Sequence, residues 1–166
     1  MTTPTPPGAE PSRWLDAEQQ RHWRALAALL IRLPAALDTD LQEQAGISHF
    51  EYLVLSALSE APERTLRMST LAGYTSASLS RLSHVVRRLE QRDWVRRSPC
   101  PDDGRATNAT LTDAGYAKVA ATAPGHVRTV RELVIDALDP EQLRDLGTIA
   151  VRVLARVDGE PDPGGR

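Results

Sequence analysis

The sequence is poor in several features, and each shortage excludes a class of protein. Its 166 residues include a single cysteine, Cys100, which excludes a disulfide framework within the chain. Its longest unbroken apolar run, residues 25–31, is 7 residues long, whereas a membrane span needs about 20. The first twelve residues contain neither a basic nor an apolar segment, so no secretory signal is expected. These absences predict a cytoplasmic protein that has no membrane partner.

Metal-binding and catalytic motifs are lacking as well. No pair among the histidines has metal-ligand spacing, and no Cys-x-x-Cys pair occurs. The sequence shows no phosphate-binding loop, no nucleophile elbow and no evident pair of acid and base. We therefore expect no enzyme activity, no cofactor and no metal site.

The formal net charge of −2 hides an uneven distribution of charge along the chain. Residues 64–105 carry nine arginines and four acidic side chains, which gives this segment a net charge of +5. The segments on either side are acidic, with −5 for residues 1–63 and −2 for residues 106–166. Clustering of positive charge predicts an anionic partner for the central segment.

The hydrophobic periodicity is mostly helical, with one strand-like stretch. Proline-rich ends predict disordered tails over residues 1–13 and 158–166. Ser48 and Glu51 form a capping-box pattern at one helix start, and Asp139 with Gln142 forms another. The predicted elements are a helix over residues 16–44 that Pro34 bends or interrupts, helices over 48–61, 69–74 and 78–92, strands over 94–98 and 106–111, a long helix from 112 with Pro124 as an interruption, and a final helix over 139–157.

The helix over residues 78–92 has two distinct faces. One face is apolar and carries Leu79, Leu82, Val85, Val86 and Leu89, whereas the other carries Ser80, Arg81, His84, Arg87 and Arg88, with Ser83 at its edge. A helix fits the DNA major groove, where serine, arginine and histidine can hydrogen-bond to base edges. Arg87 and Arg88 suit phosphate contacts. An ordinary amphipathic helix with a solvated basic face explains this pattern equally well when the helix is taken alone.

The neighbouring elements favour DNA binding. A short helix precedes residues 78–92 at helix-turn-helix spacing, and a hairpin follows with Arg105 beside its turn. Positive charge is concentrated across all three elements. Together they predict a winged helix-turn-helix.

Residues 68–115 resemble the winged-helix core of the MarR (multiple antibiotic resistance regulator) family. The matching motifs are Leu-Ala at 71–72, Arg-Leu-Glu at 88–90, Asp-Asp-x-Arg at 102–105 and Leu-Thr-x-Ala-Gly at 111–115. With its flanking helices the resemblance covers about residues 14–157. It differs at Asp93, where the family commonly has glycine, and at Gly104, where many members carry a further arginine.

The resemblance implies a mainly α fold with a small β-hairpin wing, and a homodimeric transcriptional regulator. Residues 14–47 and 112–157 would form the dimerisation region, and residues 48–111 the DNA-binding lobe. The residues implied to face the major groove are Ser78, Ser80, Arg81, Ser83 and His84. Arg105 would reach into the minor groove. We predict a repressor that binds double-stranded DNA at a pseudo-palindromic operator.

Ligand binding is a further implication of the resemblance. A small aromatic or phenolic ligand would release the repressor, with His22, Trp23 and Tyr52 as candidate contacts, although Trp23 and Tyr52 also suit core positions. Two alternatives remain. One is a redox-responsive regulator in which Cys100 is an exposed thiol near arginines. The other is a helical interaction module whose basic face binds an acidic protein.

Overall fold

The computed structural model describes residues 14–101 and 103–159. The tails predicted to be disordered lie outside the described residues, apart from positions 158 and 159, which form a turn. The chain divides into two compact units, Met1–Ala35 and Ala36–Arg166. The helices of the described part are α1 (Ala17–Ala45), α2 (His49–Glu60), α3 (Met68–Tyr74), α4 (Leu79–Gln91), α5 (Asp113–Val130) and α6 (Pro140–Val157), and its strands are β1 (Thr65–Arg67), β2 (Val95–Cys100) and β3 (Asp103–Leu111).

The fold class is as predicted, mainly α with a small sheet. All three strands are antiparallel, and β3 lies between β1 and β2. The hairpin of β2 and β3 is longer than predicted, because Asp103 and Gly104 already belong to β3. Strand β1 was not predicted, because three residues of extended chain give almost no periodic signal and depend on pairing with β3.

Both predicted capping boxes are present. The Glu51 amide donates to Ser48 Oγ at 3.1 Å, and the Ser48 amide donates to a carboxylate oxygen of Glu51 at 2.9 Å. Asp139 and Gln142 make the same exchange at the start of α6. Each box satisfies amide groups that the first turn of a helix leaves without partners.

The two internal prolines do not end their helices. Pro34 lies inside α1 and Pro124 inside α5, so neither proline interrupts its helix. A proline removes one backbone hydrogen bond, and the remaining bonds of these long helices are kept. Helix α5 instead ends in a π-helical turn, Arg131–Ile135, closed by the Asp136 amide on the Arg131 carbonyl at 2.8 Å.

The core of the second unit lies beneath α2, α3, α4 and the sheet. It buries Leu55 and Leu58 from α2, Leu71 from α3, and Leu82 and Leu89 from α4, each with essentially no exposed surface. Close packing of these side chains fixes α3 and α4 on α2. The helix-turn-helix therefore rests on a rigid base.

Candidate nucleic-acid interface

Helices α3 and α4 form the helix-turn-helix that the sequence predicts. The turn between them is held by the Ala77 amide on the Ala72 carbonyl at 3.0 Å, and Ser76 takes a left-handed φ of 49°. Ser78 caps α4, because its side-chain oxygen accepts the Arg81 amide at 3.2 Å. The turn and the cap together set where α4 begins.

Helix α4 presents the two faces that its sequence predicts, with one exception. Leu82, Val85, Val86 and Leu89 are buried. Four of the five predicted base-contacting residues are exposed, namely Ser78, Ser80, Arg81 and His84. The fifth, Ser83, is half-buried. The exception is Leu79, which was predicted on the buried face and is 54% exposed. It is the first residue of α4 and lies beside the wing instead of in the core.

Several arginines of the basic segment contact groups of the protein. The Arg81 guanidinium carbon lies 4.4 Å from the centre of the Phe50 ring, a cation–π contact between α4 and α2. Arg88 Nη2 lies 3.4 Å from Glu51 Oε1, and the Glu51 side chain is only 6% exposed. Arg88 was predicted to contact phosphate, and in this fold it also balances a buried carboxylate.

Four exposed arginines of the basic segment, residues 64–105, are available to an external anion. They are Arg67, Arg87, Arg96 and Arg105, and their guanidinium groups form no hydrogen bond or ion pair with residues 14–101 or 103–159. Arg87 and Arg105 were singled out from the sequence, but Arg67 and Arg96 were missed. Arg67 lies in β1 and Arg96 in β2, so their exposure depends on how the sheet forms. The clustered positive charge was the only sequence signal that pointed to these two arginines.

The wing is attached to α4 by one acidic side chain. Glu90 accepts Arg97 Nε at 2.8 Å and the Arg97 amide at 3.0 Å, and it lies 2.6 Å from Arg97 Nη2. Both side chains are about one-third exposed or less, so the pair is partly shielded from water. These contacts between Glu90 and Arg97 fix β2, the first strand of the wing, against the end of α4.

The turn after α4 shows how the departure at Asp93 is accommodated. Asp93 adopts a φ of 56°, the left-handed conformation for which the family uses glycine, and aspartate tolerates it better than most residues. The Thr112 hydroxyl donates to the Asp93 carbonyl at 2.6 Å and accepts the Gly115 amide at 3.0 Å. Thr112 therefore joins the turn after α4 to the start of α5.

Cys100 does not have the surroundings that the redox alternative requires. The residue is 5% exposed, at the end of β2 where the register with β3 shifts. A buried thiol in this position is shielded from oxidants in solution. The expectation of an exposed thiol is therefore wrong.

The candidate ligand contacts have different environments. Tyr52 is buried and packs on the His126 ring with centroids 4.5 Å apart, so its predicted core alternative is confirmed. Trp23 is 55% exposed and is not a core residue of the described chain. His22 lies on α1, where its Nε2 is 3.7 Å from Glu18.

A cluster of aromatic rings around His126 was not predicted. The His49 and His126 rings lie 6.1 Å apart, and burial lowers the pKa of both imidazoles below the usual 6.5. Burial also raises the pKa of the Tyr52 phenol. His126 Nδ1 is buried and has no hydrogen-bond partner among the described residues. No sequence signal marks this cluster, because His49 and His126 are far apart in the chain.

Residues 14–101 and 103–159 contain neither a metal-binding cluster nor a membrane-spanning helix. No group of three or more histidine, cysteine, aspartate or glutamate residues in this part could hold a metal ion. None of its helices is both long enough and apolar enough to cross a membrane.

Comparison with known proteins identifies the family. The sequence profile of the MarR family matches residues 47–107. The fold superposes on Sco3205, a MarR family transcriptional regulator from Streptomyces coelicolor crystallised in complex with DNA, with a TM-score of 0.86 and 46% identity over 93% of this chain and 96% of that one. The chain belongs to the MarR family. AbsC, another MarR family regulator from Streptomyces coelicolor, is 37% identical over 90% of this chain and all of its own, with a TM-score of 0.85.

This MarR family member also resembles an uncharacterized HTH-type transcriptional regulator, YdcH, from Bacillus subtilis. The two are 30% identical over 80 residues, which is 47% of this chain. The match spans 54% of the length of YdcH, somewhat more than half of that protein. The chain is a MarR family transcriptional regulator with a winged helix.

Proposed function

We propose that this protein binds a specific sequence of double-stranded DNA as a homodimer, with α4 in the major groove. The observation that carries the proposal is the division of α4 into a buried apolar face and an exposed face of serine, histidine and arginine. Sco3205, which is 46% identical, was crystallised with DNA, and this supports the same partner here. A helix with such a face offers donors and acceptors to base edges.

The roles of the individual residues follow from exposure and position. Base contacts are assigned to Ser78, which caps α4, and to Ser80, Arg81, Ser83 and His84 in its first two turns. Arg87 and Arg88 lie further along α4 and are assigned to phosphates. Arg105, exposed at the start of β3, is assigned to the minor groove beside the wing, where a narrow A·T-rich groove attracts guanidinium groups.

Exposed apolar side chains support the homodimer. On α6, Ile149, Leu154 and Val157 are each more than half exposed, and the helix buries only Ala155. On α1, Leu30 and Ile31 are 61% and 72% exposed. Apolar faces of this extent are typical of surfaces that a partner covers. A two-fold dimer would place two α4 helices about 34–36 Å apart, the spacing of successive major grooves.

Repression and ligand control complete the proposal. A bound regulator represses when it occupies an operator, and a small aromatic or phenolic ligand would favour a dimer whose α4 spacing no longer fits DNA. Trp23 supports this part, because an indole that is 55% exposed on α1 is available to an aromatic ligand. The test is a screen of small aromatic acids for release of the bound duplex. Release that persists after Trp23→Ala and Tyr52→Phe would remove these residues as contacts.

The proposed DNA binding is tested by selecting bound sequences from random duplexes and then titrating salt. We expect a pseudo-palindrome, and an affinity that falls steeply as salt rises. Sedimentation should show a dimer on each duplex. Weak binding with no preferred sequence would contradict the proposal and favour the module that binds an acidic protein.

A further inference from the structure

A cavity of about 360 Å³ lies between α4 and the wing. Leu79 and Ser83 of α4 line it, together with Ser69 of α3 and with Arg105 and Thr107 of β3. Hydroxyl and guanidinium groups on this wall suit the polar surface of DNA. Met68 and Ala106 add apolar lining, but Met68 is buried and Ala106 is half-buried, so Leu79 is the most exposed apolar side chain of this wall.

The exposure of Leu79 is specific to this position of α4. The next apolar residues along the helix, Leu82, Val85 and Val86, are at most 6% exposed, whereas Leu79 is 54% exposed. It lies between Ser78 and Ser80, both assigned to base contacts, and one helical turn before Ser83. An apolar side chain is therefore presented from within the base-contacting surface.

Base pairs offer one apolar group in the major groove, the 5-methyl group of thymine. We propose that Leu79 contacts a thymine methyl in each half-site and so helps to determine which sequence is bound. The proposal rests on the DNA-binding function proposed above. Covering the methyl removes apolar surface of both partners from water, which stabilises the complex only where a thymine stands at that step.

Deoxyuridine substitution tests this contact directly, because deoxyuridine keeps every hydrogen-bonding group of thymidine and lacks the methyl. Each thymine of the selected duplex is replaced in turn, symmetrically in both half-sites, and the Kd is measured by fluorescence anisotropy. We expect one position at which the Kd rises about fourfold for each methyl removed. Leu79→Ala should weaken binding to the thymine duplex and abolish the response to that methyl.

Leu53→Ala is the matched control, because Leu53 is an exposed leucine of α2, 40% accessible. This variant should respond to loss of the methyl as the wild type does. The assignment is overturned if the wild type is indifferent to every methyl, or if Leu79→Ala keeps the full response. Absence of salt-dependent binding to any duplex would instead overturn the proposed function, and the assignment with it.

Discussion

Arg88 and Glu51 connect the candidate DNA-binding helix to the capping box of another helix. Arg88 Nη2 lies 3.4 Å from Oε1 of Glu51, while Oε2 of the same carboxylate accepts the Ser48 amide at 2.9 Å. The Glu51 carboxylate is thus buried and shared between α4 and the start of α2. Removing one partner of such a pair leaves the other charge uncompensated.

The neighbouring arginines of α4 should therefore behave differently when each is replaced by alanine. Arg88→Ala should lower the free energy of unfolding by about 1–2 kcal/mol, less than for a fully buried pair because Arg88 is itself largely exposed. Arg87→Ala should change it by about 0.5 kcal/mol or less. Urea unfolding measures both values. Equal stabilities of the two variants would show that the Glu51 pair contributes nothing.

Phe50 positions the guanidinium that is assigned to a base. The Arg81 guanidinium lies over the Phe50 ring, and a cation–π contact at an exposed site contributes about 0.5–1 kcal/mol. Phe50→Leu should reduce the preference of the protein for its selected duplex over a random one by about two- to fivefold. Phe50→Tyr keeps an aromatic face and serves as the control. An unchanged preference in Phe50→Leu would argue that the ring does not orient Arg81.

Arg105 should contribute both charge and sequence preference. Arg105→Ala is expected to weaken binding, to reduce the preference for A·T-rich flanks, and to lower the slope of log affinity against log salt by about one per wing. Arg144→Ala removes an exposed arginine from α6 and is the control. A variant with wild-type affinity and flank preference would place the wing outside the minor groove.

The local features of this fold could be predicted from the sequence, and the long-range ones could not. The capping box of Ser48 and Glu51 is visible because its two members are three residues apart. The ion pair of Glu51 with Arg88, by contrast, joins residues far apart in the chain, and the same holds for Phe50 under Arg81. Such contacts depend on how α4 packs on α2.

The candidate site likewise combines a feature that the sequence predicts with one that it does not. Amphipathic spacing predicted that the polar side of α4 is exposed, and for Ser80 and Arg81 this is what the structure shows. The spacing also placed Leu79 on the buried face, where it does not lie. Periodicity gives an angle around the helix axis, but it does not show where along that axis the neighbouring elements end. Leu79 is the first residue of α4 and extends past the core.

The His49 and His126 rings should make stability depend on pH. Burial lowers both pKa values below 6.5, against the opposing attraction of Asp38 and Asp40, so below this pH the unfolded chain binds more protons than the folded one. Stability should therefore be complete above about pH 6.5 and should fall as the pH drops through that value towards the pKa values of the folded protein.

His126→Phe tests this dependence with the ring retained. The substitution removes a titrating group and the buried Nδ1 that lacks a partner, so the free energy of unfolding at about pH 7.5 should be equal or higher. Its decline between about pH 7.5 and about pH 5 should be shallower than in the wild type. Parallel declines, measured by urea unfolding at both values, would remove His126 as a source of the pH dependence.

Two glycines should respond to alanine with opposite signs. At Gly115, an added Cβ would overlap the Trp94 carbonyl oxygen and come within 2.7 Å of Leu111 Cδ1, where Thr112 joins the turn after α4 to the start of α5. The backbone cannot move aside as a flexible side chain does, so Gly115→Ala should lower the free energy of unfolding by about 1–3 kcal/mol.

Gly73 in α3 has no neighbouring atom within 4 Å of the added Cβ. Gly73→Ala should therefore stabilise the protein by about 0.5–1 kcal/mol, because alanine loses less conformational entropy than glycine in a helix. Thermal or urea unfolding of the two variants measures both free energies of unfolding. A Gly115→Ala variant as stable as the wild type, together with a destabilised Gly73→Ala, would contradict the close approach of α5 to the backbone that follows α4.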